Sequence, residues 1–362
     1  MMDARLLAIE NLRTYFYSRG KRAFIRSVDG VSLAVARGET LGVVGESGSG
    51  KTVAALSAAG LVSGAPGVIG GRIEFKSRNL LDGLERYVKV QERDGRVMAV
   101  EKDERGWHKH HETMMAGVRG KEIAMIFQNP RAALNPYSTV GAQLVETIRL
   151  HTRFKTKNES KERALHWLER VRIDSPRLRF DNFPFGMSGG MCQRAMIAMA
   201  LCAEPSLLIA DEPTTGLDAT IQARIVELLE ELKTEVAITT ILISHDISVI
   251  QRLSDRVAVM YGGTVVETGG AAEVLGPQAK PQHPYTAALL ASIPTAETIR
   301  GKSELQAIEG EVPDTINVPR GCRFYGRCTR VTDAIRSRCA GLEPPFAEVA
   351  PGHKLRCWLY AP

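Results

Sequence analysis

Three groups of residues in this chain have the types and spacing to do chemistry. The first is Val43-Val44-Gly45-Glu46-Ser47-Gly48-Ser49-Gly50-Lys51-Thr52, which fits G-x-x-x-x-G-K-[ST]. Gly45, Gly48 and Gly50 let the backbone approach a polyphosphate with no Cβ in the way. The N–H groups of the loop, Ser47 and Ser49 included, and the N-terminus of the helix that follows supply positive potential. In such a loop the lysine, Lys51, reaches the β- and γ-phosphates, and Thr52 ligates Mg²⁺. The second group is Asp211-Glu212, two carboxylates closing the apolar run Leu207-Leu208-Ile209-Ala210. Asp211 is placed to hold Mg²⁺, directly or through water. Glu212 is placed to orient or deprotonate a water. A buried strand needs no acid pair to fold, and burying one is costly, so the pair reads as functional. The third group is Cys322, Cys328, Cys339 and Cys357, spaced Cys-x5-Cys-x10-Cys-x17-Cys. Four thiolates are the usual requirement of an iron–sulfur cluster. The gaps are wider than the paired C-x2-C of zinc ribbons, although Zn²⁺ accepts the same four ligands. Few apolar residues surround them, so a covalent hub would help that stretch hold together. Arg320, Arg323, Arg327 and Arg330 are available to offset the charge of a thiolate-ligated cluster. Its role is expected to be structural, since no redox partner motif is visible.

Elements of two kinds must position these groups. Leu41–Val44 reads as a buried strand and the Ala-rich run from Val53 as a helix, the strand–loop–helix context that the first motif requires. Leu6–Tyr17 reads as a strand ending in Tyr15-Phe16-Tyr17. Such aromatics either stack on adenine or pack in a small sheet. Phe24–Ala36 is expected to return as strands through a turn at Asp29-Gly30. Ile123–Phe127 is a strand that ends in Gln128-Asn129-Pro130, a loop at a sheet edge. Helices are expected over Val140–Leu150 and Glu162–Val171. Ser188-Gly189-Gly190 opens another, with Ser188 as N-cap and the glycines leaving the N-terminus bare for an anion. Thr220–Leu232 is an amphipathic helix. Thr239–Ile243 is a strand followed by Ser244-His245-Asp246, so His245 follows a strand of the same sheet. Arg256–Tyr261 and Thr264–Val266 form a hairpin about Gly262-Gly263.

The remaining stretches differ in texture. Residues 82–120 are dense in charge and hold Trp107-His108-Lys109-His110-His111. That spacing is not the i, i+4 pair of a helical metal site, so a solvated, partly mobile insertion is expected. Pro277, Pro281, Pro284 and Pro294 punctuate a polar segment after Gly276. The final stretch is Cys- and Pro-rich and reads as a separate small module.

Composition bounds the rest. The chain has 362 residues, of which 44% are hydrophobic and 24% charged, the balance of an ordinary soluble protein. No apolar run reaches the roughly 18 residues of a membrane span. The longest, about Ala195 to Ala210, is broken by Glu204 and Pro205. The N-terminus reads as an amphipathic strand, not a signal peptide, and points to the cytoplasm. A net charge of +6, with no compact basic block, fits an anionic membrane surface, or no charged partner at all, better than nucleic acid.

The phosphate loop, Gln128, Ser188-Gly189-Gly190, Asp211-Glu212, Asp218 and His245, in this order, resemble the nucleotide-binding subunit of ABC transporters. The resemblance covers residues 1 to about 270 outside the insertion. Val44–Gly50, Met125–Gln128, Leu134-Asn135-Pro136, Ser188–Arg194, His283-Pro284-Tyr285-Thr286 and the C-terminal cysteines look like the oligopeptide/dipeptide importer branch. Met191, where the superfamily has Gln, is a habit of that branch. The resemblance implies an α/β fold: a P-loop ABC domain with a RecA-like core, an antiparallel β subdomain and a helical subdomain, plus a small Cys-rich C-terminal module. The domain would span 1–275, with the insertion at about 82–120 and the helical subdomain at about 140–203; the module would span 276–362.

By the same resemblance, the loop glycines, Lys51 and Thr52 bind ATP and Mg²⁺, and Phe16 stacks on adenine. Gln128 senses the γ-phosphate, Asp211 holds Mg²⁺, Glu212 is the general base and His245 contacts the γ-phosphate. Ser188, Gly189 and Gly190 meet ATP held by the opposite subunit, and Asp218 lies between the two sites. The cysteines resemble those of branch members that carry a [4Fe–4S] cluster, with zinc the alternative. The implied partners are a second ATPase subunit, identical or paralogous, two transmembrane permeases and, indirectly, an extracytoplasmic substrate-binding protein; no nucleic acid is expected. Gln128, Asn135-Pro136 and Phe185 would line a groove for a permease helix. The implied place is the cytoplasmic face of the cell membrane. Two other functions fit less well: nickel or oligosaccharide import, and a soluble nucleic-acid-associated ATPase.

Overall fold

A computed structural model describes residues 5–93, 96–276, 279–280, 282–293 and 307–361. Pro277, Pro281 and Pro294 of the proline-punctuated segment lie outside these residues, as do residues 1–4 at the N-terminus. The chain divides into two compact units. One comprises Met1–Leu6, Val35–Thr40 and Glu112–Ser244; the other comprises Leu7–Ala34, Leu41–His111 and His245–Pro362.

The first unit is built on three parallel strands. Leu207–Asp211 lies between Ile123–Ile126 and Thr239–Ile243, in a register that pairs Ile123 with Leu207 and Ile243 with Asp211. Every residue of Leu207–Asp211 and Thr239–Ile243 is buried. Both are short apolar runs without alternation, the pattern of strands covered on two faces. The helical part has Val140–His151, Lys157–Arg170 and Pro176–Phe180, then Gly189–Leu201. Its starts are set by side-chain caps: Thr139 on Ala142, and a capping box of Thr156 with Glu159. Trp167 is wholly buried among these helices.

The second unit contains an antiparallel sheet in which Arg5–Ser18 lies between Ala23–Ala36 and Pro66–Phe75, with Arg78–Asn79 at the edge. The expected turn at Asp29-Gly30 is absent, and Ala23–Ala36 is one strand with Gly30 at φ +75° inside it. The reason is Asp29. Its buried carboxylate accepts from Tyr15 Oη at 2.5 Å and pairs with Arg26 at 2.6 Å and with Arg323, which fixes the dipeptide within the sheet. A second set of strands runs Phe346–Ala350, His353–Arg356, Thr264–Gly270, Arg256–Tyr261, Thr40–Val44. Only Arg256–Tyr261 and Thr40–Val44 pair in parallel.

The C-terminal stretch adds to this set of strands: His353–Arg356 pairs with Thr264–Gly270, matching Leu355 to Glu267 and Lys354 to Thr268. The charged insertion contains regular elements: Val88–Arg93 and Arg96–Lys102 form a hairpin, and Glu104–Met115 is a helix. Two of its three histidines are tied in. His111 is buried and stacks on Trp107 with centroids 4.5 Å apart, and a ring nitrogen of His110 lies 2.9 Å from the Asp82 carbonyl. Lys102 Nζ lies 3.8 Å from the Trp107 ring centre. The abundant charge hid Trp107, His111 and Met115, spaced i, i+4, i+8 on one helical face.

Among the described residues, no helix is long and apolar enough to cross a membrane.

Candidate functional site

In the second unit, Thr40–Val44 feeds the glycine-rich loop, and Lys51–Ala59 is the helix that follows. A Cβ on Gly45 would lie 2.1 Å from the Met260 carbonyl oxygen, and one on Gly50 would lie 2.2 Å from that of Ser27. Close backbone approach therefore requires both glycines. Gly48 differs: at φ +77° it is in the left-handed region, and a Cβ there would meet nothing within 4 Å, so it keeps the loop's outer surface bare. Lys51 is buried, and its ammonium donates to the carbonyls of Gly45 at 2.7 Å and Glu46 at 3.0 Å, and to Ser49 Oγ at 3.4 Å. The loop's own oxygens thus fix the ammonium inside it. Ser47 and Thr52 are exposed and Ser49 is buried. Tyr15 is fully buried with its hydroxyl on Asp29, which makes it a core residue. Phe16 is half-buried, with its ring 3.2 Å from where a Gly64 Cβ would sit. Tyr17 is 46% exposed and packs against Phe24. His245 is exposed, just before Asp246, which caps the helix Ile247–Leu253.

In the first unit, Asp211 is buried at the end of its strand and Glu212 is half-buried one residue on. Glu212 has φ +47°, in the left-handed region, and its N–H donates to the Ile243 carbonyl at 2.9 Å. The structure joins it to Gln128, whose Nε2 donates to Glu212 Oε2 at 2.8 Å. Thr215 Oγ1 donates to the same oxygen at 2.9 Å. Two donors on one oxygen fix the orientation of the carboxylate. Thr215 carries no signal in the sequence, because a hydroxyl three residues after a carboxylate is an ordinary turn feature.

Ser188 caps Gly189–Leu201, accepting from the Met191 N–H at 3.3 Å. Asp218 caps Ala219–Val236, accepting from the Ile221 N–H at 3.0 Å. The neighbouring glycines differ. A Cβ on Gly190 would meet Ile221 Cγ2 at 2.7 Å, whereas one on Gly189 has only Leu217 Cδ2, at 3.7 Å. Tyr137 and Phe185 are exposed large rings, Phe185 stacking on Phe183 with centroids 5.5 Å apart.

Cys322, Cys328, Cys339 and Cys357 line one small pocket of about 10 Å³, with His283, Phe324 and Arg330 also in its wall. Gly321 makes this possible: a Cβ there would lie 2.1 Å from the Cys339 carbonyl oxygen, which accepts from the Cys322 N–H at 2.8 Å. Burial pushes all four thiols up, Cys322 to about 12 and Cys357 to about 11. Among the described residues, no three His, Cys, Asp or Glu side chains are grouped to hold a metal ion.

Two of the arginines expected to offset a cluster's charge are committed elsewhere. Arg323 bonds to Asp29 and to the Gly262 carbonyl, and Arg327 pairs with Glu46 of the phosphate loop. Only Arg330 faces the pocket. Tyr285 is a further loop contact that the sequence does not signal: its hydroxyl accepts from the Glu46 N–H at 2.8 Å.

Comparison with known proteins gives the family. Residues 28–215 match the ABC transporter family, and residues 266–334 match the family described as oligopeptide/dipeptide transporter, C-terminal region. The oligopeptide transport ATP-binding protein OppD of Bacillus subtilis is 41% identical, over 99% of this chain and 90% of its own. The dipeptide transport ATP-binding protein DppD of Escherichia coli is 38% identical, over 97% of this chain and 96% of its own. Among solved structures, a dimeric ATP-binding cassette bound to ADP and Pi superposes with a TM-score of 0.59 at 22% identity, over 73% of this chain and 98% of that one. The cbiO1 protein of Clostridium perfringens, part of an ABC transporter complex, gives 0.55 at 25% identity, over 76% and 92%. Phosphate loop, strand-end acid pair and full-length relatives agree: the chain belongs to the ABC transporter family, in its oligopeptide/dipeptide ATP-binding branch, and is an ATP hydrolase.

Proposed function

We propose that this chain pairs with a second ATPase subunit about two ATP molecules and powers peptide import through two membrane permeases. The observation that carries the reading is Glu212, held by Gln128 and Thr215 at the end of a buried strand. Lys51 and the glycine loop bind the phosphates, and Phe16 stacks on adenine. Thr52 and Asp211, with Gln128, are the residues that would hold Mg²⁺, which would offset negative charge on the phosphates. Glu212 orients and deprotonates the attacking water, and His245 contacts the γ-phosphate. Ser188, Gly189 and Gly190 serve the partner's nucleotide, so a lone chain is a poor ATPase. Asp218 lies at the same junction.

The names of the relatives support peptide cargo over nickel, oligosaccharide or a nucleic-acid role. Cargo itself is met by the permeases and the extracytoplasmic binding protein. The chain works at the cytoplasmic face of the membrane, with Gln128, Asn135-Pro136 and Phe185 lining the groove for a permease helix. The four cysteines hold a [4Fe–4S] cluster in a C-terminal module that is structural in role. That all four line one pocket supports a ligand shared between them, with Zn²⁺ the alternative to the cluster. Burial keeps these thiols neutral on their own, so it is bound iron that would make them thiolates.

The decisive experiment is Glu212→Gln in the assembled transporter. The amide keeps the side chain's shape but cannot take a proton, so ATP still binds while hydrolysis falls by about 100-fold or more. An ATP-bound dimer should accumulate. Turnover near the parent rate would overturn the assignment.

A further inference from the structure

We propose that Arg327, in the segment between Cys322 and Cys328, is a positioning residue for the phosphate loop, acting on Lys51 through Glu46. The inference rests on the reading that this loop binds ATP. Arg327 donates from Nη1 to Glu46 Oε2 at 2.8 Å and from Nη2 to Glu46 Oε1 at 3.1 Å, a two-point pair. Its other donors are also used: Nη1 to Tyr261 Oη at 3.2 Å, Nη2 to the Ile308 carbonyl at 3.1 Å, and Nε to the Glu309 carbonyl at 2.9 Å. Five bonds match the five N–H groups of a guanidinium, so the side chain has one orientation. It is 6% exposed, and the Glu46 side chain is 24% exposed, so the pair is sheltered from bulk solvent. The pairing with Glu46 holds the Arg327 guanidinium above its ordinary range.

Glu46 is fully engaged in turn. Its carboxylate takes Arg327, its N–H donates to Tyr285 Oη at 2.8 Å, and its carbonyl accepts from Lys51 Nζ at 3.0 Å. Rotating the Glu46 peptide would move that carbonyl, and with it the ammonium that meets the phosphates. A second contact from the same segment acts on the other side of the loop. Arg323 bonds to the Gly262 carbonyl, and the next residue, Gly263, donates its N–H to the Ser49 carbonyl at 3.0 Å. Two arginines four residues apart thus bear on both flanks of the lysine's cradle. A pairing of this fork geometry is one that lysine cannot reproduce.

The test is a double-mutant cycle in the assembled transporter, with MgATP as the probe. Arg327→Gln and Glu46→Gln are each expected to raise KM for ATP about tenfold and leave kcat within about threefold. The double variant should be no worse than either single one, because both remove the same link. Arg327→Lys should fall between parent and Arg327→Gln. Should Arg327→Gln fail to fold, Glu46→Gln and Arg327→Lys decide on the same KM readout. KM within twofold of the parent for the folded variants would overturn the proposal, and so would strictly additive effects. A parent protein that binds no MgATP would instead overturn the loop's assignment, which separates the two failures.

Discussion

Glu212 sits in a backbone conformation that costs about 1–3 kcal/mol for a residue with a side chain. Its φ of +47° turns the carboxylate to where Gln128 and Thr215 hold it, so the strain has a use. Gly189 and Gly190 make the opposite point, since identical residues side by side have different reasons to be there. Gly190→Ala drives a methyl into Ile221 and should destabilise the protein by about 1–3 kcal/mol. Gly189→Ala meets nothing closer than 3.7 Å and should leave stability unchanged or slightly raised. Urea denaturation of both variants checks this, and ATPase lost in a stable Gly189→Ala transporter would belong to the nucleotide. At this scale the sequence was legible where a residue type has one use. Lys51 stood out by its place in the glycine motif, and the strand-end acids because burying a pair is costly. Arg323 and Arg327 were misread, because an arginine amid cysteines says nothing of a carboxylate that lies far away in the chain.

Asp29 governs an element. It holds Ala23–Ala36 as one strand by taking two guanidiniums and a phenol onto a single buried carboxylate. Burial alone would raise its pKa, but Arg323 and Arg26 outweigh burial and hold it below the ordinary carboxylate value. Stability from such a group is whole above the unfolded pKa, about 3.9, and is lost as pH falls through the lower folded value. Asp29→Asn leaves two arginines without their counter-charge and should cost about 3 kcal/mol at pH 7. The gap between parent and variant, read from urea midpoints, should narrow as pH drops below about 4. A gap independent of pH would mean that packing, not charge, sets the cost. Sequence patterning located most elements, since Leu207–Asp211 and Thr239–Ile243 are continuous apolar runs. It failed at Asp29-Gly30, where a dipeptide typical of hairpin turns is overruled by a tertiary ion pair. It failed again in the insertion, where charged residues interrupt the hairpin and mask the helical face.

Across the whole molecule, the C-terminal stretch is tied to the unit that carries the phosphate loop. Its cysteines give the plainest readout. Anaerobic purification of the full chain should yield a brown protein absorbing near roughly 400 nm, the region of thiolate-to-iron charge transfer. A colourless protein with stoichiometric zinc would transfer the four ligands to Zn²⁺, and one with no metal would remove both. That these four residues converge was legible from their crowding; that their strands join the larger sheet was not, since pairing over such a sequence distance leaves no periodic trace. His353–Arg356 does more than extend that sheet. It covers a flank of Thr264–Gly270, whose buried Glu267 accepts from His353 Nε2 at 2.7 Å and from the His283 N–H at 3.0 Å. A chain cut before Phe346 would expose a row of unpaired backbone groups beside a carboxylate stripped of one partner. Such a border recruits strands from other copies, so the tail also acts as a guard against self-association.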